Sequence, residues 1–247
     1  MTYCVGLMMD AGLIFMSDTR TNAGVDNVSV FKKMHTWHVP GKRQIVLMSA
    51  GNLATTQAVV STLSERTKAP EERGSTFLEQ PSMFQTAQMV GDTLHDVITR
   101  AAGAAGQTAE SAFSASLILG GQIAGAEPRL FLIYPEGNFI EATDDTPFLQ
   151  IGETKYGRPI IVRAFRRDMS FDEGMKLLLV SFDSTIRANL SVGTPLDMVL
   201  MERGNLDSLT EHRIDGEDPQ YRTISTGWST ALQIALENLP GYSLRDD

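Results

Sequence analysis

Met1-Thr2-Tyr3-Cys4-Val5-Gly6-Leu7-Met8-Met9-Asp10-Ala11-Gly12-Leu13-Ile14-Phe15-Met16-Ser17-Asp18-Thr19-Arg20 opens the chain and reads as a β-hairpin. Tyr3 to Met8 and Leu13 to Met16 are apolar runs, and Met9-Asp10-Ala11-Gly12 between them suits a tight turn joining paired strands. Such a hairpin sets Asp18 at the far end of its second strand, beside the start of the first. Val28-Ser29-Val30-Phe31-Lys32-Lys33-Met34 also reads as extended, which brings a lysine alongside both. Thr2 is small enough for the initiator Met1 to be removed, and it then carries a hydroxyl and a free α-amine on one residue. That amine, with an ordinary pKa of about 7.7–8.0, can take the hydroxyl proton, so that nucleophile and base are a single amino acid. A lysine held by Asp18 would lower the hydroxyl pKa and keep the adjacent amine neutral through like-charge repulsion.

Outward from the hairpin, Met34 to Val39 and Gln44 to Ser49 form a second strand pair around the turn Pro40-Gly41-Lys42. A helix follows from Asn52, its cap, to about Arg66, with Leu53, Val60 and Leu63 as its apolar stripe. Because this helix starts directly after Ala50-Gly51, its exposed first amides are a place to hold an oxyanion. Residues 67 to 81, with Pro70, Gly74 and Pro81, read as a polar loop, and Met83 to about Ala104 as a long helix. Strands are expected at Ser114–Gly120, Arg129–Tyr134 and Phe139–Ala142. A helix then spans Phe171–Asn189 with Met175, Leu178, Leu179, Phe182 and Ile186 on one face. Strands at Met198–Glu202 and Leu209–Arg213 and a last helix at Tyr221–Asn238 complete the chain. Strands and helices come in runs instead of βαβ alternation, which predicts an α+β fold of two stacked antiparallel sheets between helical layers.

The 247 residues suffice for one sizeable core, and no stretch marks a linker. Lys and Arg number 21 against 30 for Asp and Glu, a formal net charge of −9, which speaks against a nucleic-acid partner. Cys4 is the single cysteine, so no internal disulfide forms and a buried, inert thiol in a reducing cytoplasm is expected. No segment approaches the ~18 apolar residues of a membrane span, and the start lacks a signal-peptide pattern. His35, His38, His95 and His212 have no partners at ligand spacing, so no metal and no other cofactor is expected. Ser29-Val30-Phe31-Lys32 fits a Ser-x-x-Lys nucleophile pattern but lies in a strand-like run, and Gly227-Trp228-Ser229-Thr230-Ala231 lies inside the last helix instead of a strand-to-helix turn.

The chain resembles the proteasome β-subunit family. Thr2, Asp18-Thr19-Arg20-Thr21-Asn22-Ala23-Gly24, Val30-Phe31-Lys32-Lys33 and Ser49-Ala50-Gly51 match, in order and spacing, that family's N-terminal threonine, aspartate-containing turn, lysine and oxyanion-hole glycine. A looser match continues through Ile118-Leu119-Gly120-Gly121, Tyr134-Pro135-Glu136-Gly137 and Gln150-Ile151-Gly152. The long C-terminal extension and the lack of a propeptide place the resemblance nearest the bacterial Anbu branch, the ancestral β-subunit. It implies a four-layer αββα N-terminal nucleophile hydrolase fold over a single domain, residues 2–247, with a C-terminal helical extension. It also implies catalysis by Thr2, Asp18, Lys33 and Gly51. Neighbouring strand residues face opposite sides, so one lysine of the pair meets Asp18; the resemblance selects Lys33. Arg20, Glu153, Asn189 and Ser191 are supporting candidates, and Thr21, Asn22, Phe31, Ser49 and Leu53 are substrate-binding candidates. Gly152-Glu153-Thr154 replaces the family's Gly-Ser-Gly, and Asn189-Leu190-Ser191 has Asn where an Asp-x-x-Ser element begins.

The expected activity is threonine-type hydrolysis of peptide or unfolded-protein substrates inside a large homo-oligomer, a ring or an open helix. Apolar residues on the Met83–Ala104 and Tyr221–Asn238 helices are the candidate subunit contacts. The chain has no ATPase motif, so any unfoldase is a separate protein. Two other readings use the same residues: an N-terminal nucleophile amidase acting on small amides, and a catalytically weak assembling scaffold or peptide-binding protein.

Overall fold

The computed structural model describes residues 2–22, 28–68, 76–105 and 111–242. In chain order the elements are β1 (Tyr3–Met9), β2 (Gly12–Asp18), β3 (Arg20–Asn22), β4 (Val28–Val30), β5 (Met34–Val39), β6 (Arg43–Gly51), α1 (Leu53–Lys68) and α2 (Met83–Ala105). They continue as β7 (Ala115–Ile123), β8 (Arg129–Ile133), β9 (Phe139–Glu141), β10 (Phe148–Gly152), α3 (Arg158–Ala164), α4 (Phe171–Ala188), β11 (Leu196–Glu202), β12 (Thr210–Ile214) and α5 (Pro219–Glu237). One sheet runs β10-β1-β2-β11-β12 and the other β5-β6-β7-β8-β9, every pairing antiparallel, while β3 and β4 form a separate two-stranded ribbon.

The apolar runs of the central strands are explained by burial on both faces, which removes any need for alternation. Along β1 and β2, Tyr3, Val5, Leu7, Met9, Ile14 and Met16 pack with Leu178, Leu179 and Phe182 of α4. Their neighbours Cys4, Leu13 and Phe15 point the other way, into a layer shared with Val46, Met48, Ile118 and Leu130 of the second sheet. That sheet in turn sends Ile45, Leu47, Leu117, Leu119 and Phe131 toward α1 and α2. Three apolar layers thus separate four structural ones, and the fold is the αββα sandwich.

Local chemistry sets the element ends. Asp10-Ala11 alone separates β1 from β2, Asn52 Oδ1 accepts the Thr55 N–H at 3.0 Å to cap α1, and Ser170 with Glu173 forms a reciprocal capping box on α4. Three readings need correction. The extended segment from Val28 is broken, because β4 stops at Val30 and β5 starts only at Met34. The supposed polar loop 67–81 is partly helix, since α1 runs to Lys68, and its Phe77 is buried in the core against Trp37; residues 69–75 lie outside the described residues. β10 and α3 have no counterpart among the expected elements, because Phe148–Gly152 is a short strand paired on one side only, to β1.

The two candidate contact helices differ. α2 spends its stripe of Met83, Ala87, Val90, Leu94 and Ile98 on its own sheet. α5 is anchored only by its first half, through buried Tyr221 and the Trp228 Nε1–H that donates to Ser184 Oγ at 3.3 Å. Its second half leaves Leu232, Ile234 and Leu236 exposed, the last at 72%. No described helix is long and apolar enough to cross a membrane.

Candidate active site

Thr2 sits immediately before β1 and is 8% exposed. Its carbonyl accepts the Glu153 N–H at 2.6 Å. Gly152 makes that contact possible: its φ of +83° suits glycine, and a Cβ there would run into the Thr2 carbonyl. Met1 and Ala23-Gly24 lie outside the described residues.

Asp18 ends β2 and is fully buried. Its Oδ1 accepts the Tyr3 N–H at 3.0 Å and the Lys33 ammonium at 2.8 Å, so one carboxylate oxygen fixes both the backbone next to Thr2 and the lysine. Burial pushes the Asp18 carboxyl above the usual carboxylate range, against the pull of Lys33 and of the Tyr3 and Gly193 amides. Lys33, 4% exposed, also donates to the Arg20 carbonyl at 2.5 Å. Of the two lysines, Lys33 meets Asp18, while Lys32 is exposed. Although Phe31 to Lys33 fall between strands, their backbone stays tied, with Phe31 N–H donating to Thr19 O at 2.8 Å and Ser49 N–H to Lys33 O at 3.0 Å.

Gly51 closes β6 with φ +119°, and a Cβ there would come within 2.5 Å of Ser114 O. Ser49 N–H points toward the β5 side and Asn52 N–H toward Ser114 O on the β7 side. Strand alternation therefore directs the Gly51 N–H to the β5 side of β6.

The supporting candidates form a brace. Asn189 Nδ2 donates to Glu153 Oε2 at 3.0 Å, Ser191 N–H donates to Asn189 Oδ1 at 2.9 Å, and Arg20 Nη1 donates to Leu190 O at 3.1 Å. The 189–193 turn is thereby clamped between two residues that flank Thr2 and Asp18, and the Arg20 guanidinium covers Gly193. Cys4, one residue beyond Tyr3, is fully buried, and burial with the nearby Asp18 charge pushes its thiol up.

Thr2, Lys33 and Gly51 open onto a cleft of about 890 Å³. Of the substrate-binding candidates Thr21, Phe31, Ser49 and Leu53 line it, while the Asn22 side chain lies outside the described residues. Missed by the sequence reading were Lys32, His35 and the α1 face Thr56, Gln57, Val60 and Ser61. The signal was present in the spacing: with Leu53 these fall at i, i+3, i+4, i+7 and i+8, one helix face. Leu53, expected on one stripe with Val60 and Leu63, lines the cleft; Val59 and Leu63 are buried in the core, and Val60 packs against that core while also lining the cleft.

A model of the proteasome subunit matches residues 2–201. The chain belongs to the proteasome subunit family. Solved structures of the family's Anbu (ancestral β-subunit) members superpose on nearly the whole chain. That from Yersinia bercovieri is 45% identical, covers 99% of this chain and 100% of its own, and has a TM-score of 0.91. The subunit of the helical assembly of the Anbu complex from Pseudomonas aeruginosa is 43% identical, with 98% and 99% covered and a TM-score of 0.91. The proteasome subunit beta type-7-A of Arabidopsis thaliana is 28% identical over 232 residues, 92% of this chain and 75% of that protein. The chain's αββα sandwich is the N-terminal nucleophile hydrolase fold. Among the described residues no group of three or more His, Cys, Asp or Glu converges to hold a metal ion.

Proposed function

We propose that this chain is a proteasome-type threonine peptidase, active once Met1 is removed. The observation that carries the reading is the buried Lys33–Asp18 ion pair set beside Thr2 in the wall of a cleft. Thr2 Oγ attacks the peptide carbonyl as its proton passes to the α-amine, and the Gly51 N–H receives the developing oxyanion. The C–N bond then breaks, the proton leaves with the departing amine, and an ester joins Thr2 to the acyl half. Water, deprotonated by the α-amine, adds to that ester; the C–Oγ bond breaks and Thr2 Oγ recovers a proton. Lys33 keeps positive charge next to the hydroxyl, Asp18 orients Lys33, and Arg20, Glu153, Asn189 and Ser191 position the backbone around Thr2.

We read residues 2–247 as one domain with α5 as its C-terminal helical extension, working in the cytoplasm as a homo-oligomer of at least six subunits. The exposed apolar half of α5 and the helical assembly of the Pseudomonas aeruginosa relative support self-association. Intact-mass measurement reports whether Met1 is removed, and a peptide-library digest reports cleavage. Thr2→Ala is expected to abolish hydrolysis with assembly intact, and Thr2→Ser to keep part of it because hydroxyl and amine both survive. A purified Thr2→Ala protein that hydrolyses peptides near the wild-type rate would sink the nucleophile assignment.

A further inference from the structure

We propose that the cleft selects peptides bearing a carboxylate side chain next to the scissile bond, with Lys32 as the residue that reads it. This rests on the peptidase reading of the same site. Among the described residues the cleft lining holds two ammonium groups, Lys32 and Lys33, and the imidazole of His35, and no carboxylate. That is a local inversion in a chain of net charge −9. Of the two lysines, Lys33 is buried and bound to Asp18 and the Arg20 carbonyl, so its charge is committed inside the protein.

Lys32 is exposed, and no ion pair or hydrogen bond engages its ammonium among the described residues. It stands on the ridge between the cleft and an adjoining hollow of about 260 Å³, whose acids are already held. Asp197 is paired to Arg213 by two bonds of 2.7 and 2.9 Å, and Glu211 accepts from Thr36 Oγ1 at 2.7 Å. Lys32 lines the cleft as well as the hollow, one residue from Lys33. A substrate carboxylate there gains a counter-charge, whereas a substrate Lys or Arg meets like charge, which is how electrostatics enforces selectivity at a partly solvated site. His35, beside it in the lining, is held toward its neutral form by burial and by the Lys32 charge, and its ring hydrogen-bonds the Lys32 backbone, which leaves the Lys32 ammonium as the group that meets the carboxylate. The rest of the lining is uncharged, polar at Thr56, Gln57 and Ser61 and apolar at Phe31, Leu53 and Val60.

The test uses full-length assembled protein and fluorogenic peptides with amidated C-termini, identical except for Glu, Gln or Lys before the reporter bond. Amidation leaves the side chain as the carboxylate under test. Glu is expected to exceed Gln by about tenfold in kcat/KM, with Lys lower still, and the Glu preference to shrink as salt rises. In Lys32→Met the Glu and Gln peptides should converge to within about twofold. The same peptides, fluorescein-labelled and bound to the Thr2→Ala protein, give the ratio by anisotropy without any turnover. A Glu-to-Gln ratio near one in both measurements, or a ratio that survives Lys32→Met, overturns the inference. Binding preference with no hydrolysis of any peptide by wild-type protein supports this inference and removes the peptidase reading; hydrolysis without preference does the reverse.

Discussion

Asp18→Asn isolates the ion pair on which the proposed chemistry depends. The amide has the size of the carboxylate and can still accept the Tyr3 N–H, so backbone geometry survives while Lys33 loses its counter-charge in a site where it is only 4% exposed. At 2.8 Å and an effective dielectric of 20, the Coulomb attraction lost is about 6 kcal/mol. Desolvation offsets part of that attraction, and removing one partner of a buried pair costs about 3–5 kcal/mol, or roughly 6–20 °C in Tm for a domain of this size. Activity should fall at least about a hundredfold, the lower range for loss of positioned proton-transfer chemistry. The double variant Asp18→Asn/Lys33→Met removes both charges and should recover most of the stability with none of the activity. Urea denaturation followed by the fluorescence of Trp37 and Trp228, at one fixed protein concentration because self-association shifts the midpoint, measures the first quantity, and peptide hydrolysis the second. A single Asp18→Asn variant less than about 1 kcal/mol destabilised, or one as active as wild type, would refute the ion-pair argument.

Gly152→Ala should be defective in both stability and hydrolysis, since φ +83° costs a non-glycine residue about 1–2 kcal/mol and the new Cβ strikes the Thr2 carbonyl. Wild-type melting and turnover would contradict the contact. His35 should titrate below 6.5 in the folded protein, and Lys32→Met should raise its midpoint by removing a neighbouring positive charge; NMR of the imidazole reads both. With the folded pKa lowered, the unfolded chain binds more protons as pH falls below 6.5, so stability drops there, and His35→Gln should flatten that slope in denaturation curves. Leu236→Asp, on the exposed half of α5, should shift sedimentation velocity toward smaller species while leaving monomer circular dichroism unchanged; an unaltered assembly would exclude this face as a contact.

What the sequence determined was whatever depends on neighbours along the chain. Two apolar runs around Asp10-Ala11 specify a hairpin, and the hairpin register alone places Asp18 beside Tyr3 and Thr2. Asn52 after Gly51 specifies a helix start at the end of a strand, and the order of motifs specifies the family. What only the tertiary structure decided depends on groups brought together from far along the chain. Leu53 is as apolar as Leu63, yet it lines the cleft, and Val60 is shared between cleft and core, because which helix face meets the sheet is settled by packing over the whole α1–α2 layer. β10 carries no strong pattern of its own and becomes a strand because β1 offers it an unpaired edge. The Glu153–Asn189–Ser191 brace and the Lys32–His35 wall join residues whose side chains are polar and locally unremarkable. A polar side chain carries no periodic signal, so its role is fixed only when the fold supplies its partner and removes the water that would otherwise compete for it.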